Sequence, residues 1–274
     1  GDYTGTIEAL NAVSTYISDI NAKYIVMMHG NTAANIDMSA AIEQHLRTGA
    51  EITAICTETT PDYTHHRYMV EQDGFARSMM FRQTAAGPGL ASLDAYIISK
   101  ELLLSMMETC RAENRYHFHR DAIAQYLANG GKVGVYVHRG YGRRIMSTQS
   151  FFSANMDMLS SEKRAELFPP ERPVRTKTHE DVSTYYAEGS RASNSLVADG
   201  CIIEGEIDNC IISSDVRIAK GAKLDGCVVM RGAKIGEGVV MKNVVVDKAS
   251  ELSPYQTLMG SEKLPVVLPK GTKI

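Results

Sequence analysis

The residues best able to do chemistry fall in four places along the chain. The first is Tyr24-Ile25-Val26-Met27-Met28-His29-Gly30-Asn31, an apolar strand pattern that ends in a turn. In an α/β protein the turn at the carboxyl end of a strand is where ligands sit. An enzyme handling phosphates usually places a carboxylate there to hold Mg²⁺. Here the residue is Asn31, which is also an ordinary turn residue. The second and third places are His65-His66 and His117-Phe118-His119. Histidines two apart on a strand share a face, but no Cys, Asp or Glu set completes a site at metal-ligand spacing, so no metal site is expected. The fourth is the basic cluster His138-Arg139 with Arg143-Arg144. Guanidinium forks suit phosphate oxygens, which makes it a candidate site for a phosphorylated effector or a nucleotide. A solvated loop is the plain alternative. Gly140-Tyr141-Gly142 has G-x-G spacing after a strand, but no helix begins there at once, and a lone G-x-G does not make a phosphate loop.

These residues must be positioned by alternating strands and helices. Ile7 to Ile20 reads as an amphipathic helix, and 24–28 as the strand after it. Ser39 is placed to cap a helix that runs through His45-Leu46 and stops at Gly49. Residues 51–56 form the next strand. The strand patterns 68–70 and 78–81 flank Asp73-Gly74, a hairpin signal. Ala95-Tyr96-Ile97-Ile98 is a strand, 100–112 a helix, Asp121 to Leu127 a helix, Lys132 to Val137 a strand and Thr148 to Leu159 a helix. Such alternation predicts a mostly parallel sheet with helices on both faces. Residues 161–193, with Pro169-Pro170 and Pro173, read as an extended connector.

From about residue 194 the period becomes six. Ile218, Leu224 and Met230 repeat at that spacing, as do Val229, Ile235 and Met241, Val216, Ala222 and Val228, and Gly226, Gly232 and Gly238. A helix repeats near 3.6 and a plain strand at 2. A hexapeptide period signals a β-helix whose coils stack β-branched residues inward, with glycines at the corners. A β-sandwich with coincidental spacing is the alternative.

Composition narrows the function classes. The chain has 274 residues, 44% hydrophobic and 22% charged, with a net charge of -3. That balance gives no electrostatic case for nucleic acid or an anionic membrane, and no apolar run approaches a membrane span. The five cysteines form no C-x-x-C pair and are odd in number. They read as reduced, mostly buried thiols of a cytoplasmic protein. The opening Gly1-Asp2-Tyr3 lacks an initiator Met and reads as the middle of a domain.

Five stretches together resemble the bacterial glucose-1-phosphate adenylyltransferases (ADP-glucose pyrophosphorylases). Residues 3–10, YTGTIEAL, are similar to the family's Y-x-G-T-A-D-A-V. Residues 24–38 resemble its strand and S-G-D-H-x-Y-x-M-D loop. Phe118 to Ile123 resembles F-G-K-D-I-I, Ala154 to Leu159 resembles A-N-M-D-L-L, and Asn194 to Ile203 resembles N-S-L-V-x-D-G-C-I-I. The resemblance implies an α/β nucleotidyltransferase domain (Rossmann-like, mostly parallel sheet) over 1–160, incomplete at its N-terminus, a linker over 161–193 and a left-handed parallel β-helix of hexapeptide repeats over 194–274. The family's glycine-rich phosphate loop does not precede Gly1, so the chain is expected to be a fragment.

The departures from the family lie at its working residues. The resemblance implies two aspartates that hold Mg²⁺. The aligned residues here are Asn31 and Arg144. A guanidinium about 4 Å from a divalent cation is repelled by roughly 8 kcal/mol at an effective dielectric near 20. In the implied sugar-phosphate pocket Thr84 replaces a lysine, with Arg82 the nearby cation. Asp94, two residues after Ser92, replaces a glycine. Gly5, Thr6 and Glu8 are the implied remnant of the nucleotide pocket. The departures resemble the GlgD-type branch, which accompanies a catalytic GlgC-type subunit. The expectation is therefore a non-catalytic regulatory subunit that needs no cofactor. It would work in a hetero-oligomer with that partner and could respond to a sugar-phosphate or nucleotide effector. The alternative is an active adenylyltransferase whose Mg²⁺ is carried by Asp37 or Asp94. An acyltransferase is disfavoured because residues 194–274 contain no His.

Overall fold

The computed structural model describes residues 3–58, 65–83, 87–176 and 182–274. The chain forms two compact units, Gly1–Arg144 and Ile145–Ile274.

In the first unit, helices α1 (Thr6–Ala12) and α2 (Ser14–Asp19) replace the single expected helix, because Val13 leaves helical geometry at φ -116°. Strand β1 (Tyr24–Met28) follows, then β2 (Thr32–Ala34), α3 (Met38–Thr48) and β3 (Ile52–Thr57). The cap of α3 is Asp37, not Ser39: its Oδ1 accepts from the Ala40 amide at 3.0 Å. Gly49, at φ 64°, ends that helix as expected. Next come β4 (His65–Val70), β5 (Ala76–Gln83), β6 (Leu90–Ser99) and α4 (Lys100–Ala112). The helix expected at 121–127 is a π-helical turn (Phe118–Ile123) continued by α5 (Ala124–Ala128). Strands β7 (Val133–His138) and β8 (Gly142–Arg144) complete the unit.

The main sheet runs β5-β4-β6-β3-β7, with β1 also on β6. It is mixed. Only β3 and β7 pair in parallel; the other described pairings of this sheet are antiparallel, against the expected parallel majority. The hairpin at Asp73-Gly74 makes β4 and β5 antiparallel, since a short turn cannot make a parallel crossover, which needs a dozen or more residues. Strand β6 runs against its neighbours β1, β3 and β4. Both faces are covered, as an α/β class requires. Alternate residues of the two central strands divide between the faces: Ala54, Cys56, Tyr96 and Ile98 pack with Leu103 and Met107 of α4. Ile55, Ala95 and Ile97 pack with Ala41 of α3. That is the period-2 alternation of a strand buried on both sides.

The second unit begins with α6 (Thr148–Asp157) and α7 (Ser161–Leu167). Phe152 of α6 is buried against Val228 and Val245, on the outside of the β-helix wall. The division therefore falls between 144 and 145 rather than near 160. The expected connector also holds α7 and the first short strand of the solenoid, Tyr185–Tyr186. From there three five-stranded parallel sheets stack into a β-helix. Its core is a set of columns: Ile203, Ile218, Ile235 and Leu252 on one wall, and Ile207, Leu224 and Met241 on another. All five cysteines are free and buried.

The strict period of six is corrected by the register. Ile218 aligns with Ile235 and Ile235 with Leu252, so these coils take 17 residues. Leu224 aligns with Met241, but the inward residue of the next strand is Val229, five positions on; Met230 is only partly buried. Likewise Val228 faces outward onto Phe152, and Cys227 takes its place in the core. One of the three corners is a residue shorter than the others. Gly226, Gly232 and Gly238 do sit at corners, with φ of 60°, 71° and 63°, a backbone region that side chains other than Asn and Asp rarely enter.

Candidate functional site

The site is built where β6 breaks its ladder. Ile55 of β3 pairs with Ala95, but Cys56 pairs with Ser92, leaving Leu93 and Asp94 as an unpaired bulge. Asp94 has φ 51°. A bulge residue in this region is ordinarily glycine, and Asp is one of the few side chains that tolerates it. The Ser92 hydroxyl accepts from the Asp94 amide at 3.0 Å and helps hold the turn. The bulge aims the Asp94 carboxylate inward, where it is 2% exposed.

Three elements meet that carboxylate. From β8, Arg144 places Nη1 2.5 Å from Oδ2. From β4, His66 places Nε2 2.9 Å from Oδ1. An ionised carboxylate only accepts, so His66 Nε2 carries the proton. From β6 itself, the Tyr96 hydroxyl donates to Oδ1 at 3.1 Å. Burial alone would push the Asp94 carboxyl up, but the His66 hydrogen bond and charge, then the Arg144 charge, hold it well below the usual carboxylate range. Strand β8 is held in place by β2, with Thr32 opposite Arg144. The Thr32 hydroxyl donates to the Leu93 carbonyl at 3.1 Å and so ties β2 to the bulge. Asn31 directly precedes Thr32, and its side-chain oxygen is buried.

Two more imidazoles complete the surroundings. The His119 ring, on the π-helical turn, stacks on His66 with centroids 4.6 Å apart and an interplanar angle of 2°. Burial, then the His66 charge, lower its pKa to about 4 against the pull of Asp94. His29 follows β1; its Nε2 lies 3.5 Å from the Thr6 hydroxyl oxygen. Burial is the main cause holding His29 below its ordinary value. Beside these groups a cavity of about 780 Å³ opens, lined by Gly5, Thr6, His29, Asp94, Tyr96 and the apolar side of β1.

The expected site residues divide clearly. Gly5 and Thr6 do line the cavity. Gly5 is required by contact, since a Cβ there would lie 2.2 Å from the Tyr116 carbonyl oxygen. Glu8 accepts from the Thr4 amide at 2.6 Å, closing the first turn of α1. Arg82 belongs to β5, and Thr84 lies outside the described residues. Asp37 is engaged as the cap of α3. The basic cluster is not one surface. His138 is buried with Nε2 3.1 Å from the Tyr141 carbonyl oxygen, Arg144 is paired with Asp94, Arg143 is half-buried and Arg139 is exposed. Consecutive residues of β8 point opposite ways. Gly142 lies in β8 packed near Leu93 and His138, with no helix beginning directly after it, so Gly140-Tyr141-Gly142 is no phosphate loop.

The reading that no carboxylate completes the histidines is overturned. His66, Asp94 and His119 have ligand atoms within 4.8 Å of one another. They come from β4, a bulge in β6 and the π-helical turn, so no spacing along the chain could reveal them. The pairing of Asp94 with Arg144 was equally hidden. Each residue read as a separate loss, and only the adjacency of β6 and β8 joins them.

Comparison with known proteins agrees with this architecture. Residues 178–263 match the family described as GlmU-like, C-terminal hexapeptide. Over 270 residues, 98% of the chain, it is 30% identical to "Glycogen biosynthesis protein GlgD" of Bacillus subtilis, of which it covers 69%. It is 27% identical over 229 residues to the glucose-1-phosphate adenylyltransferase of Fusobacterium nucleatum and 25% identical over 227 residues to that of Clostridioides difficile. The chain belongs to the GlgD and glucose-1-phosphate adenylyltransferase family. It covers 82% and 81% of itself in the latter two matches but only 59% of either relative's length. No helix among the described residues is long and apolar enough to cross a membrane.

Membership brings the implied Mg²⁺ into question. Its two expected ligand positions are Asn31 and Arg144. The Asp94 carboxylate is in the same neighbourhood, but a guanidinium sits 2.5 Å from it. Mg²⁺ demands oxygen ligands in near-octahedral order. Arg144 offers no ligand atom and a like charge, so these residues do not fit Mg²⁺.

Proposed function

We propose that this chain is part of a non-catalytic, regulatory subunit of ADP-glucose pyrophosphorylase, acting in glycogen biosynthesis through a catalytic GlgC-type homologue. The observation that carries the reading is the buried Asp94–Arg144 ion pair at 2.5 Å. Nucleotidyl transfer by the family needs a divalent cation to neutralise the triphosphate and align attack. In this chain a guanidinium takes the place of one implied metal ligand and pairs with Asp94, which itself stands where the family has glycine. The pocket is still present, but both implied Mg²⁺ ligands are gone. Both members of the pair are buried, so the exchange is part of the core rather than a surface drift.

A retained fold without metal ligands suits a protein that works by assembly. The partner class is a homologue with an intact site, and binding would shift that partner's substrate affinity or effector response. The rival reading, an active adenylyltransferase with a rebuilt site, has to recruit Asp37 or Asp94. The first caps α3 and the second is held by Arg144 and His66.

The test is a titration. The catalytic GlgC-type subunit is held fixed, the full-length version of this protein is added, and pyrophosphate release from ATP and glucose 1-phosphate is followed. The expected result is a silent control without the catalytic subunit, and a rate or effector response that changes and saturates. Turnover in the control at a rate near that of the catalytic subunit overturns the reading.

A further inference from the structure

We propose that His66, Asp94 and His119 form a binding site for a divalent transition-metal ion of the class that favours imidazole, such as Zn²⁺ or Co²⁺. This goes beyond the regulatory reading and does not depend on it.

The geometry is close to a coordination sphere. The three ligand atoms lie within 4.8 Å of one another. Metal–nitrogen and metal–oxygen distances near 2.1 Å put adjacent donors about 3 Å apart. His66 Nε2 and Asp94 Oδ1 are already at 2.9 Å. His119 has to close in, and the Tyr96 hydroxyl, 3.1 Å from Oδ1 and 3.2 Å from His66 Nε2, has to give way to the ion. The His119 ring is half-exposed and held by stacking on His66. Among the described residues neither of its ring nitrogens has a hydrogen-bond partner. In the stack the two rings are parallel, so their nitrogen lone pairs run side by side. Coordination requires the half-buried His119 ring to tilt away from its stack on His66. His119 also sits in a π-helical turn, an irregularity that recurs at functional sites.

The donor set decides the metal class. Two imidazoles and one carboxylate suit Zn²⁺, Co²⁺, Ni²⁺ or Fe²⁺, whereas Mg²⁺ prefers an all-oxygen sphere. On binding, His66 would present the Nε2 lone pair and carry its proton on Nδ1, and the metal would replace the contact to Oδ1. Arg144 can remain on Oδ2, where a second partner on a ligating carboxylate fixes its orientation. The guanidinium also opposes the metal's charge, so the expected affinity is that of an exchangeable site.

The test uses the whole chain and Co²⁺ alone, whose visible absorption reports nitrogen coordination. The wild-type chain is expected to take up one Co²⁺ with a saturating visible band, and a large excess of Mg²⁺ should leave the band intact. His119→Ala changes a half-exposed residue and should fold; it is expected to weaken binding at least about tenfold. His119→Gln, checked for fold by circular dichroism, should behave alike. No band in the wild type, an affinity unchanged in both variants, or full displacement by Mg²⁺ would each overturn the assignment.

Discussion

The β-helix and the Asp94 pocket bury their groups under opposite rules. In the β-helix each inward residue meets the same kind of residue one coil away, as Ile218 meets Ile203 and Ile235. The information is repeated, and a change at one position leaves its neighbours' pattern standing. In the pocket, Asp94, Arg144, His66 and Tyr96 each have a particular partner. Nothing elsewhere in the chain repeats that set. Redundant burial tolerates variation by degrees; paired burial has to change in matched steps.

Mutation can break this contrast, and the largest effect is expected in the pocket. Arg144→Met leaves the buried Asp94 carboxylate with only His66 and Tyr96 as partners and should cost the first unit about 3 kcal/mol. Asp94→Gly combined with Arg144→Met should cost clearly less than the sum of the two single changes, because neither charge is then left alone. Amide hydrogen exchange, which reports each unit separately, measures both. Equal and additive costs would show that the pair is not a unit.

Ile218→Ala should cost about 3 kcal/mol through the cavity it opens. The loss of exchange protection should be confined to the coils on either side, because a solenoid repeat contacts only its neighbours. Spread through the whole β-helix would remove the distinction drawn above.

The pH response sharpens the comparison further. His45 is buried in the first unit with Nδ1 2.8 Å from the Thr53 hydroxyl oxygen, and burial holds its pKa below the ordinary value. The unfolded chain therefore takes up that proton first as pH falls. This contribution is fully present above about pH 6.5 and declines below it, by at most about 1.4 kcal/mol per pH unit. His45→Gln should flatten that slope in denaturant melts of the first unit. The β-helix core has no buried histidine to respond.

The smallest effect is expected on the β-helix surface. Lys234 and Glu251 pair at 2.7 Å between successive coils, both largely solvated. Lys234→Ala should leave stability nearly unchanged, and added salt should erase any remaining difference.

The same contrast explains what could be read from residues alone. The β-helix was legible because its signal is periodic, and the glycine corners at 226, 232 and 238 reinforced it. Its one error, the steady step of six, arose because a shortened corner cannot be seen in a window of two steps. The α/β alternation was legible too. The direction of its strands was not, because periodicity does not report which way a strand runs. At the site, Asn31 and Arg144 were found by resemblance, whereas His66 and His119 were set aside for want of a carboxylate. That carboxylate is Asp94, brought to them by a bulge whose existence depends on pairing with β3.

The 17-residue coil makes length itself a quantised property of this half of the molecule. An insertion of one residue in a wall would rotate every later side chain out of its column, whereas an insertion of a whole coil would hand the next strand back in phase. The coil from Ile203 to Ile218 is shorter, at 15 residues, and one place departs further in the other direction. Val245 aligns with Val267, a step five residues longer than the others near it. The excess is taken up by a turn closed between Ser261 and Leu264, after which the chain rejoins the wall in register. That turn is where this protein can change length, by evolution or by engineering, without unthreading the stack behind it.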